Sequence, residues 1–417
     1  MPGTTTRPKA RPIAPPEPGL TPEALLERAR AMRPTLLANQ GRCEAEGRVP
    51  EDINDQLVKA GFYRIVQPRR FGGYEFDVPA FYKVMMEISR GCPETGWVLA
   101  LTAGHPMLLA SFPEQAQVEA YGADGEFRCP ASFTPPGQAR PVDGGYLISG
   151  GWVSASGIDI GTHFIGMAMV PPETDGEPPS AIQMMLDRDQ FEIVDDWKVM
   201  GMQGTGSKQA RARDAFVPAY RTVASMGSVR GSQALPTARL YDNPMYQGRI
   251  QPFLIGEATA VAIGAARGAL DLYEQALKGK RSMFPPHLER SEDPEFQRHY
   301  GTALALIATA EAGLVRAGEE FMDFAAEAAS GGAPFDEERE LRLTLIEQQC
   351  VRLAWEAMEL IFRTEGTSAS AKQGAAIGRI FRNMAVINTH PALQLDRTAV
   401  AAAKARFKAV PETSSAS

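Results

Sequence analysis

The spacing of apolar residues changes twice along the 417-residue chain. In the first part they recur three and four positions apart, in "TPEALLERARAMRPTLLANQ", "PEDINDQLVKAGFYRI" and "DVPAFYKVMMEISRG", which predicts helices. Thr21 followed by Pro22 supplies an N-cap and a proline in the first turn, where no amide hydrogen is needed. Gly61 and Gly91 predict helix stops. "CPETGWVLALTAGHPMLLASF" continues as apolar helix, broken around Gly104–His105–Pro106. From residue 126 the period shortens. "GGYLISGGWVSAS", "HFIGMAMVPP", "AIQMMLDRDQFEIVDD" and "KQARARDAFVPAYRTV" alternate in part and are punctuated by Gly, Pro and Asp, as strands are. Helical spacing returns at Ile250 and persists, opening with the small-residue stretch "FLIGEATAVAIGAARGALDLYEQALKG".

These boundaries predict an α+β, mostly helical fold. An N-terminal helical domain spans 21–125, a central antiparallel β domain 126–225, and a C-terminal helical bundle 245–408. The segments 1–20 and 409–417 are too poor in apolar residues to offset the entropy of ordering and are expected to be disordered tails.

Composition narrows the function. A net charge of −7 without a long basic run argues against nucleic acid and against an anionic membrane surface. Cys43, Cys92, Cys129 and Cys350 are far apart in sequence with no CxxC pair, so no metal site or disulfide framework is expected. The N-terminus carries no apolar signal core and no uninterrupted apolar run is long enough to span a bilayer, so a cytoplasmic protein is expected. Neither GxGxxG nor GxxxxGK[ST] occurs, which removes the nucleotide-loop folds.

Four stretches carry a more specific signal. They are "RVPEDINDQLVKAGFYRIVQPRRFGGYEFDVPAFYKVMMEISRGCPETGWVLAL", "GGYLISGGWVSASGIDIGTHF", "WKVMGMQGTGSKQARARDAFVP", and "EGTSASAKQGAAIGRIFRN" running into "MAVINTHPA". With the order helices, β domain, bundle, they resemble the acyl-CoA dehydrogenase fold. Within it they resemble the two-component (group D) flavin-dependent monooxygenases. Asn383 stands where that family usually has Asp.

The resemblance implies an oxygenase component that takes reduced flavin, FMNH2 or FADH2, from a separate NAD(P)H:flavin reductase. With O2 as co-substrate it would form a C4a-hydroperoxyflavin and hydroxylate a phenolic or other electron-rich aromatic. A homotetramer is implied as well. Catalytic candidates are His390, His105 and Ser156; cofactor-binding candidates are Ser156, Ser132, Trp152, Arg281 and Phe284; no metal ligands are expected. His390 lies where dehydrogenases of the fold usually carry a glutamate that abstracts a proton, and an imidazole suits a phenolic proton instead. His105 sits at the break before Pro106; a capped helix end is the plain alternative for both histidines. Ser156 precedes Gly157 as the family's flavin-N5 serine does, and is preferred to Ser154 on that ground. Trp152 reads as core or as a flank of the flavin ring. Arg281 and Phe284, in "LKGKRSMF", resemble the fold's phosphate-side R-x-x-F; a solvated basic loop is the alternative. Rival readings are an acyl-CoA dehydrogenase, an N- or S-oxidising monooxygenase of the same fold, and a helical binding protein without catalysis.

Overall fold

The computed structural model describes residues 12–172, 174, 176–224, 240–372 and 374–409. The N-terminal helices are α1 (Pro22–Glu46), α2 (Glu51–Ala60), α3 (Val78–Gly91), α4 (Pro93–Gly104), α5 (Pro106–Leu109) and α6 (Glu114–Tyr121). Thr21 caps α1, accepting from Ala24 N at 3.2 Å, and Gly61 ends α2 in a left-handed conformation, φ 89°. Of the expected N-terminal tail, residues 1–11 lie outside the described residues, while 12–20 pack on this domain. Ile13 pairs with Phe71 and Leu20 is buried, because two apolar side chains suffice to anchor so short a segment. At the other end, 410–417 lie outside the described residues.

Among the described residues seven strands follow: β1 (Ala131–Val142), β2 (Gly145–Ala155), β3 (His163–Val170), β4 (Ser180–Asp187), β5 (Glu192–Val194), β6 (Lys208–Pro218) and β7 (Thr222–Ala224). They form one sheet, ordered β5-β6-β2-β1-β3-β4-β7. The sheet is mixed, which corrects the antiparallel expectation. β1 and β3 pair in parallel, Ala131 opposite Ile165 and Ser132 opposite Gly166. A hairpin would have laid β3 against β2. Instead residues 156–162 carry the chain past β1, and this crossover holds Ser156.

The bundle comprises α7 (Ile250–Leu277), α8 (Pro294–Ala329), α9 (Glu337–Glu365), α10 (Thr367–Ser370), α11 (Ala376–Ile387) and α12 (Leu395–Ala409). α7 is long and apolar enough to cross a membrane, yet 89% of that stretch is buried inside the protein, which marks a core helix. Its glycines permit close approach to α3: a Cβ on Gly264 would lie 2.3 Å from Met86 O. One apolar core joins the two helical domains, and a second fills the sheet around Trp152, Phe164 and Phe191. Ser156 lies where α4, the end of β2 and the turn after α11 meet.

Candidate active site

α4 starts with Cys92 extended at φ −153°, Pro93 in the first turn and Glu94 beside the free amides. Trp97, on its next turn, is buried, and its Nε1–H donates to Ser156 Oγ at 3.0 Å. The end of β2 aims that serine. Ser154 adopts φ 60° and Gly157 φ 75°, leaving Ser154 exposed and Ser156 inside. A Cβ on Gly157 would sit 2.8 Å from Val98 Cγ1, so the crossover can press against α4 only with glycine there.

Ser156 opens a chain of hydroxyls. Its Oγ lies 2.8 Å from Ser207 Oγ, which lies 2.6 Å from Thr205 Oγ1, which donates to the Met202 carbonyl at 2.7 Å. The direction of every bond follows from the two ends. An indole N–H only donates and a carbonyl only accepts, and each hydroxyl has one proton. Trp97 therefore donates to Ser156, Ser156 to Ser207, Ser207 to Thr205, and Thr205 to Met202 O. Ser156 retains one unused lone pair.

The turn carrying Thr205 and Ser207 is a short 3-10 turn at Gln203–Thr205. It is fastened from three sides. Met202 N donates to Asn383 Oδ1 at 2.6 Å, Gly204 N to Glu94 Oε1 at 2.8 Å, and Trp197 Nε1 to Met202 O at 2.8 Å. Asn383, the departure from the family's Asp, thus supplies an oxygen acceptor, and its Nδ2 is buried without a partner. Cys43 and Cys92 are distant in sequence but meet under this turn with Glu94, their ligand-type atoms within 4.8 Å of one another. Both cysteines are free thiols; Cys43 donates to Gly204 O at 3.6 Å. Burial and the neighbouring Cys92 push the Glu94 carboxyl up to about 8.

His390 follows the end of α11, its N–H donating to Ile387 O at 3.0 Å. Gln348 Nε2 ties down the same turn by donating to Ala392 O at 2.8 Å. The imidazole lies edge-on to the Trp97 indole, ring centroids 5.7 Å apart at 66°. One side is open to solvent; crowding on the other lowers its pKa from the ordinary histidine value. Arg379 and Arg382 face away from this site: Arg379 Nε donates to Glu44 at 2.6 Å and Arg382 Nη2 to the same carboxylate, clamping α11 to α1.

The other sequence candidates divide. Ser132 is nearly buried and donates to Val153 O at 2.6 Å, so toward any ligand it offers an acceptor. His105 is 4% exposed, with Nδ1 against the Cys129 carbonyl and Nε2 3.8 Å from Glu257 Oε1. Burial lowers its pKa to about 4, and no ring contact joins it to His390. Trp152 takes the core position, one of its two readings. It is fully buried in the sheet core, its Nε1 donating to Met167 O at 2.8 Å, because its position on β2 points to the face opposite the site. Arg281 and Phe284 lie on an exposed loop between α7 and α8, Phe284 74% exposed. Sequence reasoning missed Trp97, Thr205 and Ser207. The "TGS" of the third motif was the available signal for the latter two; Trp97 was one apolar residue in an apolar helix.

Residues 22–123 and 257–395 match the acyl-CoA dehydrogenase N-terminal and C-terminal domain families. The chain is 30% identical over 385 residues, 90% of its length and 96% of the relative's, to the flavin-dependent monooxygenase oxygenase subunit HsaA of Rhodococcus jostii (strain RHA1). It is 31% identical over 260 residues, 61% of its length and 62% of the relative's, to the oxygenase component of the FADH2-dependent resorcinol hydroxylase of Rhizobium sp. (strain MTP-10005). The crystal structure of 3-HSA hydroxylase from Rhodococcus sp. RHA1 superimposes with a TM-score of 0.84 at 28% identity, over 92% of this chain and 97% of that one. A hydroxyl chain ending in a one-sided serine, on this fold and at this level of identity, places the chain in the family of flavin-dependent monooxygenase oxygenase subunits with the acyl-CoA dehydrogenase fold.

Proposed function

We propose that the protein is the oxygenase component of a two-component monooxygenase that hydroxylates a phenol or another electron-rich aromatic. A separate NAD(P)H-dependent reductase supplies the reduced flavin. The carrying observation is the unused lone pair of Ser156. Reduced flavin has an N–H at N5, and an acceptor with no proton to spare is the complement of that group. Reduced flavin, when bound, activates dioxygen and supplies the oxygen transferred to the substrate.

The protein's own groups do the rest. Ser156 would accept a hydrogen bond from N5–H, while the buried indole of Trp97 excludes water from that side. His390, at the open mouth, takes the phenolic proton. Its lowered pKa keeps the imidazole neutral near pH 7, as a general base must be. Ser132 provides a further acceptor at the start of β1. His105 acts behind the cluster, held by Cys129 and facing Glu257. Arg281 and Phe284 complete the phosphate side from a neighbouring subunit of a homotetramer, and the protein works in the cytoplasm.

The dehydrogenase reading has one residue in its favour, Glu257, a buried carboxylate on α7. Burial raises that carboxyl well above the usual range, which disfavours the ionised form a proton-abstracting base needs, and the side chain is only 1% exposed.

The test is reconstitution with a flavin reductase, NADH, flavin and labelled O2 over a panel of simple phenols. Labelled oxygen in the ring product supports the proposal. A tightly held oxidised flavin that an acyl-CoA bleaches, with no oxygen insertion, would overturn it.

A further inference from the structure

We propose that Thr205 and Ser207 set the redox selectivity of the flavin site: by fixing the direction of the hydroxyl chain they make Ser156 an obligate acceptor, favouring flavin with a hydrogen on N5 over oxidised flavin. The inference rests on the proposed function in one respect, that flavin N5 meets Ser156.

The two redox states differ at N5 in the sign of the hydrogen bond they need. Reduced flavin presents an N–H, a donor. Oxidised flavin presents a bare nitrogen lone pair, an acceptor. A free serine hydroxyl serves either by rotating its proton. Ser156 lacks that freedom. Its proton is committed to Ser207, whose proton is committed to Thr205, whose proton is committed to the Met202 carbonyl.

The end of the chain is equally fixed. Met202 O also accepts from Trp197 Nε1 at 2.8 Å and Thr205 N at 3.3 Å. Met202 N is tied to Asn383 and Gly204 N to Glu94. To donate toward oxidised flavin, Ser156 would have to leave Ser207 Oγ without a donor in a site where Ser207 is 3% exposed and Thr205 1% exposed. Losing one buried hydrogen bond and opposing two lone pairs costs roughly a tenfold factor in affinity or more. The consequence suits a protein that takes reduced flavin from solution and must release it oxidised.

Thr205 and Ser207 act through Ser156, so they are positioning residues. In Thr205→Val the terminal hydroxyl is gone. Ser207 can then donate to Ser156, and the Ser156 proton is free to turn toward N5. Thr205→Ser keeps the chain. Ser207→Ala frees the Ser156 proton directly.

The experiment measures dissociation constants for oxidised FMN and, under anaerobic conditions, for reduced FMN. Wild-type protein and Thr205→Ser should prefer reduced FMN by roughly tenfold or more. In Thr205→Val and Ser207→Ala that ratio should fall by a similar factor, with oxidised FMN gaining affinity. A purely structural role would weaken both states together and leave the ratio unchanged, which would overturn the inference. A second measurement needs no variant. Reduced 5-deaza-FMN has carbon in place of N5 and no N–H; it should bind the wild-type protein as weakly as oxidised FMN. Binding as tight as that of reduced FMN would overturn the inference even if the variants do not fold. If no form of FMN or FAD binds the wild-type protein, the proposed function fails as well; if both redox states bind with equal affinity, only the selectivity inference fails.

Discussion

Trp97 and Ser156, fifty-nine positions apart, share a hydrogen bond of 3.0 Å that joins the helical domain to the β-domain crossover. The same indole supports His390 on its edge, so one side chain touches both the acceptor and the base of the proposed site. Trp97→Phe keeps most of the ring and removes the donor. The variant should retain its fold, losing about 1 kcal/mol of stability, and bind reduced flavin several-fold more weakly. Thermal unfolding and anaerobic titration read the two effects separately. Unchanged affinity would show that the bond to Ser156 plays no part in flavin binding.

His390→Ala removes the proposed base and leaves the hydroxyl chain intact. Hydroxylated product should fall by roughly a hundredfold or more, with oxygen diverted to peroxide. The pH profile carries the sharper signature. In the wild-type protein, product formation should decline as pH falls through the His390 pKa, which lies below the ordinary histidine value of 6.5. That acid limb should be missing in the variant. A variant that couples as well as wild type would remove His390 from the chemistry.

Asn383 holds the Met202 amide with its Oδ1, and both residues are buried. Asn383→Ala should cost about 1–3 kcal/mol, the usual penalty for orphaning a buried donor. Asn383→Asp preserves the acceptor and disposes of the partnerless Nδ2, so it should be the milder change. Chemical denaturation of the two variants beside wild type checks the order.

Glu94 contributes a pH dependence of known sign. Burial, then the nearby Cys92, raises its carboxyl from 4.5 to about 8 in the folded protein. The protonated form is the one the fold favours. Its contribution is therefore complete below pH 4.5 and is lost as pH rises toward 8. Glu94→Gln cannot ionise and can still accept from Gly204 N. The melting temperature of that variant relative to wild type should climb across this interval. A difference that is flat with pH would mean that Glu94 does not titrate there.

Local features were legible in the sequence because local chemistry causes them. Thr21 caps α1 through an atom three residues away, Gly61 stops α2 through its own φ, and the Gly157 that follows Ser156 takes the positive φ, 75°, that turns the chain after β2. What escaped depends on contacts between distant segments. The parallel pairing of β1 with β3 arises from a crossover whose composition, "SGIDIGT", resembles any other loop. Trp152 and Trp97 are both tryptophans in apolar surroundings. Only the strand's facing sends the first into the sheet core, and only packing of α4 against the crossover brings the second to Ser156. Cys43 and Cys92 looked unrelated for the same reason, since α1 and α4 meet in space and not in sequence.

The central claim is that this site accepts reduced flavin and protects it during its reaction with oxygen. Reduced FMN or FADH2, premixed with excess protein under anaerobic conditions and then with oxygenated buffer, tests it without knowledge of the substrate. The account predicts that oxidised flavin and hydrogen peroxide appear much later than in protein-free controls, and that Ser156→Ala abolishes most of the delay. Release of both at the protein-free rate, with either flavin, would contradict it.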